Sequence, residues 1–159
     1  MSALNSRVLG TDSQTVTSSS ESAQFQELRG TIKKRGTTVG KSVLIVDDSA
    51  IVRRTVGSAL ISDGFNVCGE ANDGREAVEL AGKLSPDLII LDLSMPVMNG
   101  LEAVPVLRRL VPKSPIILYT LYADEAVEQQ LRTTEVDSVL SKREPISRLM
   151  EKVHALLGE

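Results

Sequence analysis

The feature that most constrains this chain is a run of four apolar residues, Leu88-Ile89-Ile90-Leu91, closed at once by an acid, Asp92. An unbroken apolar run of that length, with no polar alternation, fits a strand covered on both faces. Such a strand needs layers above and below it, so helices must flank the sheet on both sides. Pro96 and Gly100 then interrupt the chain before the next helical pattern. A carboxylate at the mouth of the most hydrophobic segment is costly to bury and so points to a use.

The same design recurs along the chain. Val43-Leu44-Ile45-Val46 is a second apolar run, closed by Asp47-Asp48. Ser49 is placed to N-cap a helix carrying Val52, Val56, Ala59 and Leu60 on one face, and Asp63-Gly64 ends it. Residues 65–71 alternate apolar and polar, as a strand does. Asp73-Gly74 opens a helix with Ala77, Val78, Ala81 and Leu84 at helical spacing, stopped by Ser85-Pro86. After the central run the spacing predicts a helix over 100–110, with Leu101, Val104, Leu107 and Leu110 inward. Pro105 falls inside that pattern, and its missing N–H predicts a kink. A fourth strand is predicted over 115–120, a helix over 123–133, and a weak fifth strand over 137–141 that ends at Lys142. Glu144-Pro145 starts a last helix, with Ile146, Leu149, Met150, Val153, Leu156 and Leu157 as its apolar stripe. Five strands alternating with five helices predict an α/β fold, a doubly wound parallel sheet with right-handed crossovers.

Composition separates the globular part from what precedes it. Residues 1–40 hold five basic and three acidic side chains, and 15–20 are almost all hydroxyl residues with no helical or strand period. They read as a disordered tail. Its Lys33-Lys34-Arg35 cluster is either a solvated linker or a contact arm for an acidic partner or nucleic acid. Residues 41–159 hold thirteen basic and eighteen acidic side chains, an acidic domain that argues against direct DNA binding. Aromatics make up 3% of the chain, so the core must be Leu, Val, Ile and Ala. Cys68 is the sole cysteine, which excludes an internal disulfide and leaves it the part of a small apolar strand residue. No run approaches the ~18 apolar residues of a membrane span, and no secretory signal is visible. The expected location is therefore the cytoplasm.

The charged residues at the strand ends carry the chemistry. Strand one ends in Asp47 and Asp48, strand three in Asp92, strand four in Thr120 and strand five in Lys142. In a doubly wound sheet these ends share one edge, where ligands bind at the switch in strand order. Three carboxylates about 5 Å apart cost ~3 kcal/mol per pair at an effective dielectric near 20. Lys142 alone cannot offset that, whereas a divalent cation can. Oxygen donors of this type suit Mg²⁺. The neutralised site could then take an incoming phosphoryl group. Asp92, alone on the central strand, is the candidate nucleophile. Asp47 and Asp48 are candidate metal ligands, and Thr120 and Lys142 candidate holders of phosphoryl oxygens. Singly, each residue has an ordinary use: a helix cap, an Asx-turn, a strand threonine, a solvated lysine. The joint pattern carries the reading. His154, far along the chain, is expected at the surface.

Residues 42–158 resemble a response-regulator receiver domain, the flavodoxin-like phospho-acceptor module of two-component signalling. The matching residues are Asp47-Asp48-Ser49, the stretch from Asp92 through Pro96 to Gly100, Thr120 and Lys142. The resemblance implies the strand order 2-1-3-4-5 and phosphorylation of Asp92 by a histidine kinase or phosphotransfer protein. It implies Mg²⁺ on Asp48, Asp92 and the main-chain carbonyl of Ser94, with Asp47 close by. It also implies that Thr120 moves toward the phosphoryl group and alters a protein-binding face, and it leaves a transient homodimer open. Three positions depart from the family pattern. Val139 stands where an aromatic switch residue is usual, with Tyr122 the nearest aromatic to replace it. Arg143 stands where proline usually follows the lysine, and Leu121 is bulkier than the usual residue after the threonine. With no output domain before Glu159, the expectation is a stand-alone receiver acting through protein contacts, not an enzyme. Two alternatives stay open: a binding module indifferent to phosphorylation, and an aspartyl phosphatase, which would need a general acid and a substrate cap.

Overall fold

The computed structural model describes residues 40–158. The chain divides after Thr38. The tail assigned to 1–40, with its basic cluster, lies outside the described residues except for Gly40.

The elements follow as β1 (Ser42–Val46), α1 (Ala50–Ser62), β2 (Asn66–Ala71), α2 (Gly74–Leu84), β3 (Leu88–Leu91), α3 (Gly100–Leu110), β4 (Ile116–Thr120), α4 (Glu125–Leu131), β5 (Ser138–Ser141) and α5 (Ile146–Leu157). The strands form one parallel sheet in the order β2-β1-β3-β4-β5, the flavodoxin-like order expected. From β1 the chain goes first to one side, for β2, and then crosses back to β3. The ends of β1 and β3 therefore flank the switch point.

Successive strand residues face opposite layers. Leu44, Val46, Ile89, Leu91, Ile116 and Leu118 pack with Ala77 and Ala81 of α2 and Ala103, Val104 and Leu107 of α3. Val43, Ile45, Leu88, Ile90, Ile117 and Tyr119 pack with Val56 and Leu60 of α1 and Leu149, Met150 and Val153 of α5. Both sides of β1, β3 and β4 are covered, which is why their apolar runs are unbroken. Burying one such Leu or Ile contributes roughly 2 kcal/mol, so the strand ends rise from a rigid floor. Cys68 lies on β2, partly buried against the α2–α3 layer, and burial pushes its thiol pKa up. No helix among the described residues is long and apolar enough to cross a membrane.

Several boundaries differ from the sequence reading for local reasons. Phe65 precedes β2; it is buried, and its N–H donates to the Leu60 carbonyl at the end of α1. In α3 the buried face is Gly100, Ala103, Val104 and Leu107, while Leu110 is exposed. Leu110 shares the face of Ala103 and Leu107 but is the last residue of the helix. The helix continues through Pro105, which sits on its exposed side. Helix α4 is shorter than 123–133. The Asp124 carboxylate caps its start by accepting from the Val127 N–H (3.0 Å). The hydroxyls of Thr133 and Thr134 fold back onto the Gln130 carbonyl at its end, the usual competition of Thr with helix bonding. Asp137 stays out of β5 because its carboxylate takes the Ile116 N–H (2.7 Å) and pairs with Arg108.

Candidate functional site

The ladder of the sheet continues one residue past three strands. The Asp47 N–H donates to the Ala71 carbonyl (3.0 Å), the Asp92 N–H to Val46 (2.8 Å) and the Lys142 N–H to Thr120 (2.8 Å). The Cα atoms of two acids and a lysine are thereby fixed at one edge, although 95 positions separate the first from the last.

Their side chains converge. The Lys142 ammonium pairs with Asp47 Oδ2 and lies 3.2 Å from Asp92 Oδ2. Asp47 Oδ1 accepts from the Ser49 N–H (2.9 Å), which also starts α1. Asp47, Asp92 and Thr120 are buried, at 2%, 5% and 0% exposure, while Asp48 faces solvent. One carboxylate oxygen from each of Asp47, Asp48 and Asp92 lies within 4.8 Å of the others. Asp48, Ser94 and Asn99 line an open hollow beside them. The sequence-derived cluster is thus brought together around one lysine.

Burial pushes the Asp92 carboxyl pKa up; Lys142 pulls it back and Asp47 pushes it further up. For Lys142 burial works against the charge, but the hydrogen bond to Asp47 and the charges of Asp92 and Asp47 outweigh it, so the ammonium is held above its ordinary pKa. One firmly charged lysine thus faces three acids, two of them buried. The donors are all hard oxygens, one of them open to solvent, and they fit a small divalent cation that keeps some of its waters.

The loop between β3 and α3 is pressed close to this centre. Asn99 caps α3 by accepting from the Glu102 N–H, and the Glu102 carboxylate accepts from the Asn99 N–H, a capping box. The Gly100 N–H donates to the Leu93 carbonyl (2.9 Å) and the Gly74 N–H to Met98 (2.9 Å). Within this loop Val97 is 74% exposed with φ of +68°, a left-handed conformation that a β-branched residue strongly resists. Val97→Asn is expected to raise stability by about 1 kcal/mol, read as a higher urea midpoint at an unchanged slope. An unchanged midpoint would mean that the loop is unstrained.

At β4 the buried Thr120 hydroxyl accepts from the Tyr122 N–H (3.3 Å), and Leu121 and Tyr122 are both exposed. Val139 packs partly buried against the α2–α3 layer. The Arg143 N–H donates to Ser141 Oγ (3.2 Å), a bond proline could not make. His154 is only partly at the surface. Its Nε2 lies 3.1 Å from Asp63 Oδ2 and its ring tilts over Phe65, joining α5 to the end of α1 far from the acids. Arg53 had no sequence signal of its own. Its Nη1 donates to the Asp47 carbonyl (2.7 Å) and its Nε to Glu70 Oε2 (3.0 Å). A basic residue in a first helical turn that has no acids is the one hint that was available.

Residues 43–154 match the response regulator receiver domain family, and the chain belongs to that family. It is similar to the chemotaxis protein CheY of Thermotoga maritima, 35% identical over 117 residues, which are 73% of this chain and 97% of that protein. It is 36% identical over 118 residues to a protein-glutamate methylesterase/protein-glutamine glutaminase of Pyrococcus abyssi, which are 74% of this chain but 32% of the relative; the chain spans about a third of that enzyme's length. Among solved structures it resembles the Vibrio cholerae chemotaxis protein CheY4, with 32% identity, a TM-score of 0.69, and coverage of 74% of this chain and 99% of that one.

Proposed function

We propose that this receiver accepts a phosphoryl group on Asp92 from a histidine kinase or phosphotransfer protein and signals through a changed protein-binding surface. The observation that carries this reading is the seating of Lys142 between two buried carboxylates, Asp47 and Asp92, with Asp48 alongside. An Asp92 carboxylate oxygen attacks phosphorus; the new O–P bond forms as the donor's P–N bond breaks, and the histidine leaves with the electron pair. Asp47, Asp48, Asp92 and the main-chain carbonyl of Ser94 would hold Mg²⁺, which would supply charge neutralisation for the phosphoryl oxygens. The Lys142 ammonium takes one of those oxygens and the Thr120 hydroxyl donates to another. Thr120 already holds the Tyr122 N–H, so its movement would pull on the exposed segment that follows β4.

The work of the domain is switching, not turnover of a substrate. In this reading the receiver acts by itself in the cytoplasm, with a partner protein as its output; its likeness to the Thermotoga chemotaxis protein CheY fits signalling through protein contacts. Val139, packed in the core layer where the family usually presents an aromatic, favours a second reading, a binding module indifferent to phosphorylation. Incubation with Mg²⁺ and acetyl phosphate tests the first reading: one phosphoryl group per chain is expected, and none with excess EDTA. Pulldown of the same partners with and without donor would favour the second.

A further inference from the structure

Arg53 is a costly residue where it stands. It lies in the first turn of α1, where the helix dipole disfavours a cation, and no acid shares that turn. Its side chain is 15% exposed. Instead of reaching to solvent it turns back past the helix start, donating from Nη1 to the Asp47 carbonyl (2.7 Å) and from Nε to Glu70 on β2 (3.0 Å). The Asp47 N–H is already taken by the Ala71 carbonyl on β2. The planar guanidinium, anchored on Glu70 of β2, holds the carbonyl of the peptide unit that joins Asp47 to Asp48, a bridge between two partners whose fixed fork geometry a lysine ammonium does not reproduce. Turning that peptide would swing the exposed Asp48 away from Asp47 and Asp92, breaking the 4.8 Å grouping of their oxygens.

We propose that Arg53 is a positioning residue that aims the Asp48 carboxylate into the acid cluster through the Asp47–Asp48 peptide, and so sets the cluster's affinity for a divalent cation. This rests on the reading of the cluster as a cation site. Positioning and simple charge give opposite signs. As a nearby positive charge Arg53 repels a divalent cation, so on charge alone its removal tightens binding. As an orienting group its removal weakens binding, by about tenfold to a hundredfold, as for outer-shell partners of metal ligands.

The experiment is calorimetric titration of Mg²⁺ into wild type, Arg53→Gln, Asp48→Asn and the double variant, with urea unfolding to confirm the fold. The expected result is at least tenfold weaker binding by Arg53→Gln than by wild type. Asp48→Asn and Asp48→Asn/Arg53→Gln should bind alike, since without Asp48 there is nothing left to aim. Should Arg53→Gln not fold, Arg53→Lys carries the test, because it keeps the charge but cannot hold both partners; weaker binding is again expected. Equal or tighter binding by the folded Arg53 variant, or a further loss from Arg53→Gln on top of Asp48→Asn, overturns the proposal. Failure of wild type to bind Mg²⁺ overturns the cation-site reading and this inference with it.

Discussion

Lys142→Gln is expected to lower stability by about 3–5 kcal/mol at neutral pH, the usual effect of removing one partner from a buried charge pair. The lysine is the only cation paired with the Asp47 and Asp92 carboxylates among the described residues, and its loss leaves two buried carboxylates facing each other. The loss should depend on pH in a defined direction. The Asp92 carboxyl pKa is already raised by burial and rises further once Lys142 is gone. A carboxyl with a raised folded pKa binds its proton more tightly in the folded state, so stability grows as pH falls through that value and shrinks as pH rises above the ordinary carboxylate range. The deficit of Lys142→Gln should therefore close on acidification. In wild type the raised Lys142 pKa acts in the same direction but in a higher pH range. Its contribution is fully present below the ordinary lysine range and is lost as pH rises through the folded value. Urea unfolding across a pH series measures both arms; a deficit equal at every pH would assign the effect to packing instead of charge.

Gly100 supplies the second large effect. A Cβ placed there would lie 2.4 Å from the Asp92 carbonyl oxygen and 3.0 Å from Leu93 Cα. Both are main-chain atoms, so neither can rotate away. Gly100→Ala should cost about 1–3 kcal/mol, the range for forcing atoms into a filled space, and Gly100→Val more. Because the atom displaced belongs to Asp92, Mg²⁺ affinity and phosphorylation should fall with stability. Gly82, in the last turn of α2 with open space around it, is the control: Gly82→Ala should stabilise by up to about 1 kcal/mol through helix propensity. Similar outcomes at the two glycines would mean that the loop is not pinned against Asp92.

The convergence of Asp47, Asp48, Asp92, Thr120 and Lys142 was legible because strand termini are legible. An apolar run that stops at a charged residue marks both the strand and the edge where it ends, and alternation with helices dictates that all such edges coincide. Placement within helices was less legible. Leu110 has the right hydrophobicity and the right spacing, but it is the last residue of α3 and stays exposed, while small Ala103 is buried on the same face. The termini of α4 depend on side chains bonding to nearby main chain, and residue type alone does not select Asp124 over its neighbours. The partners of Arg53 and Asp87 were illegible for a related reason. Asp87 Oδ2 accepts from both the N–H and the hydroxyl of Ser42 (2.7 and 2.9 Å), tying the start of β3 to β1. Contacts between a side chain and a distant stretch of main chain leave no spacing in the sequence to read.

The most direct test is the position of the phosphoryl group. Wild type and Asp92→Asn are treated with Mg²⁺ and acetyl phosphate, reduced with borohydride to fix any acyl phosphate, and mapped by peptide mass. One modification, at Asp92 in wild type and absent from Asp92→Asn, is the expected result. Equal labelling of Asp92→Asn, or a modification confined to a peptide lacking residue 92, would contradict it.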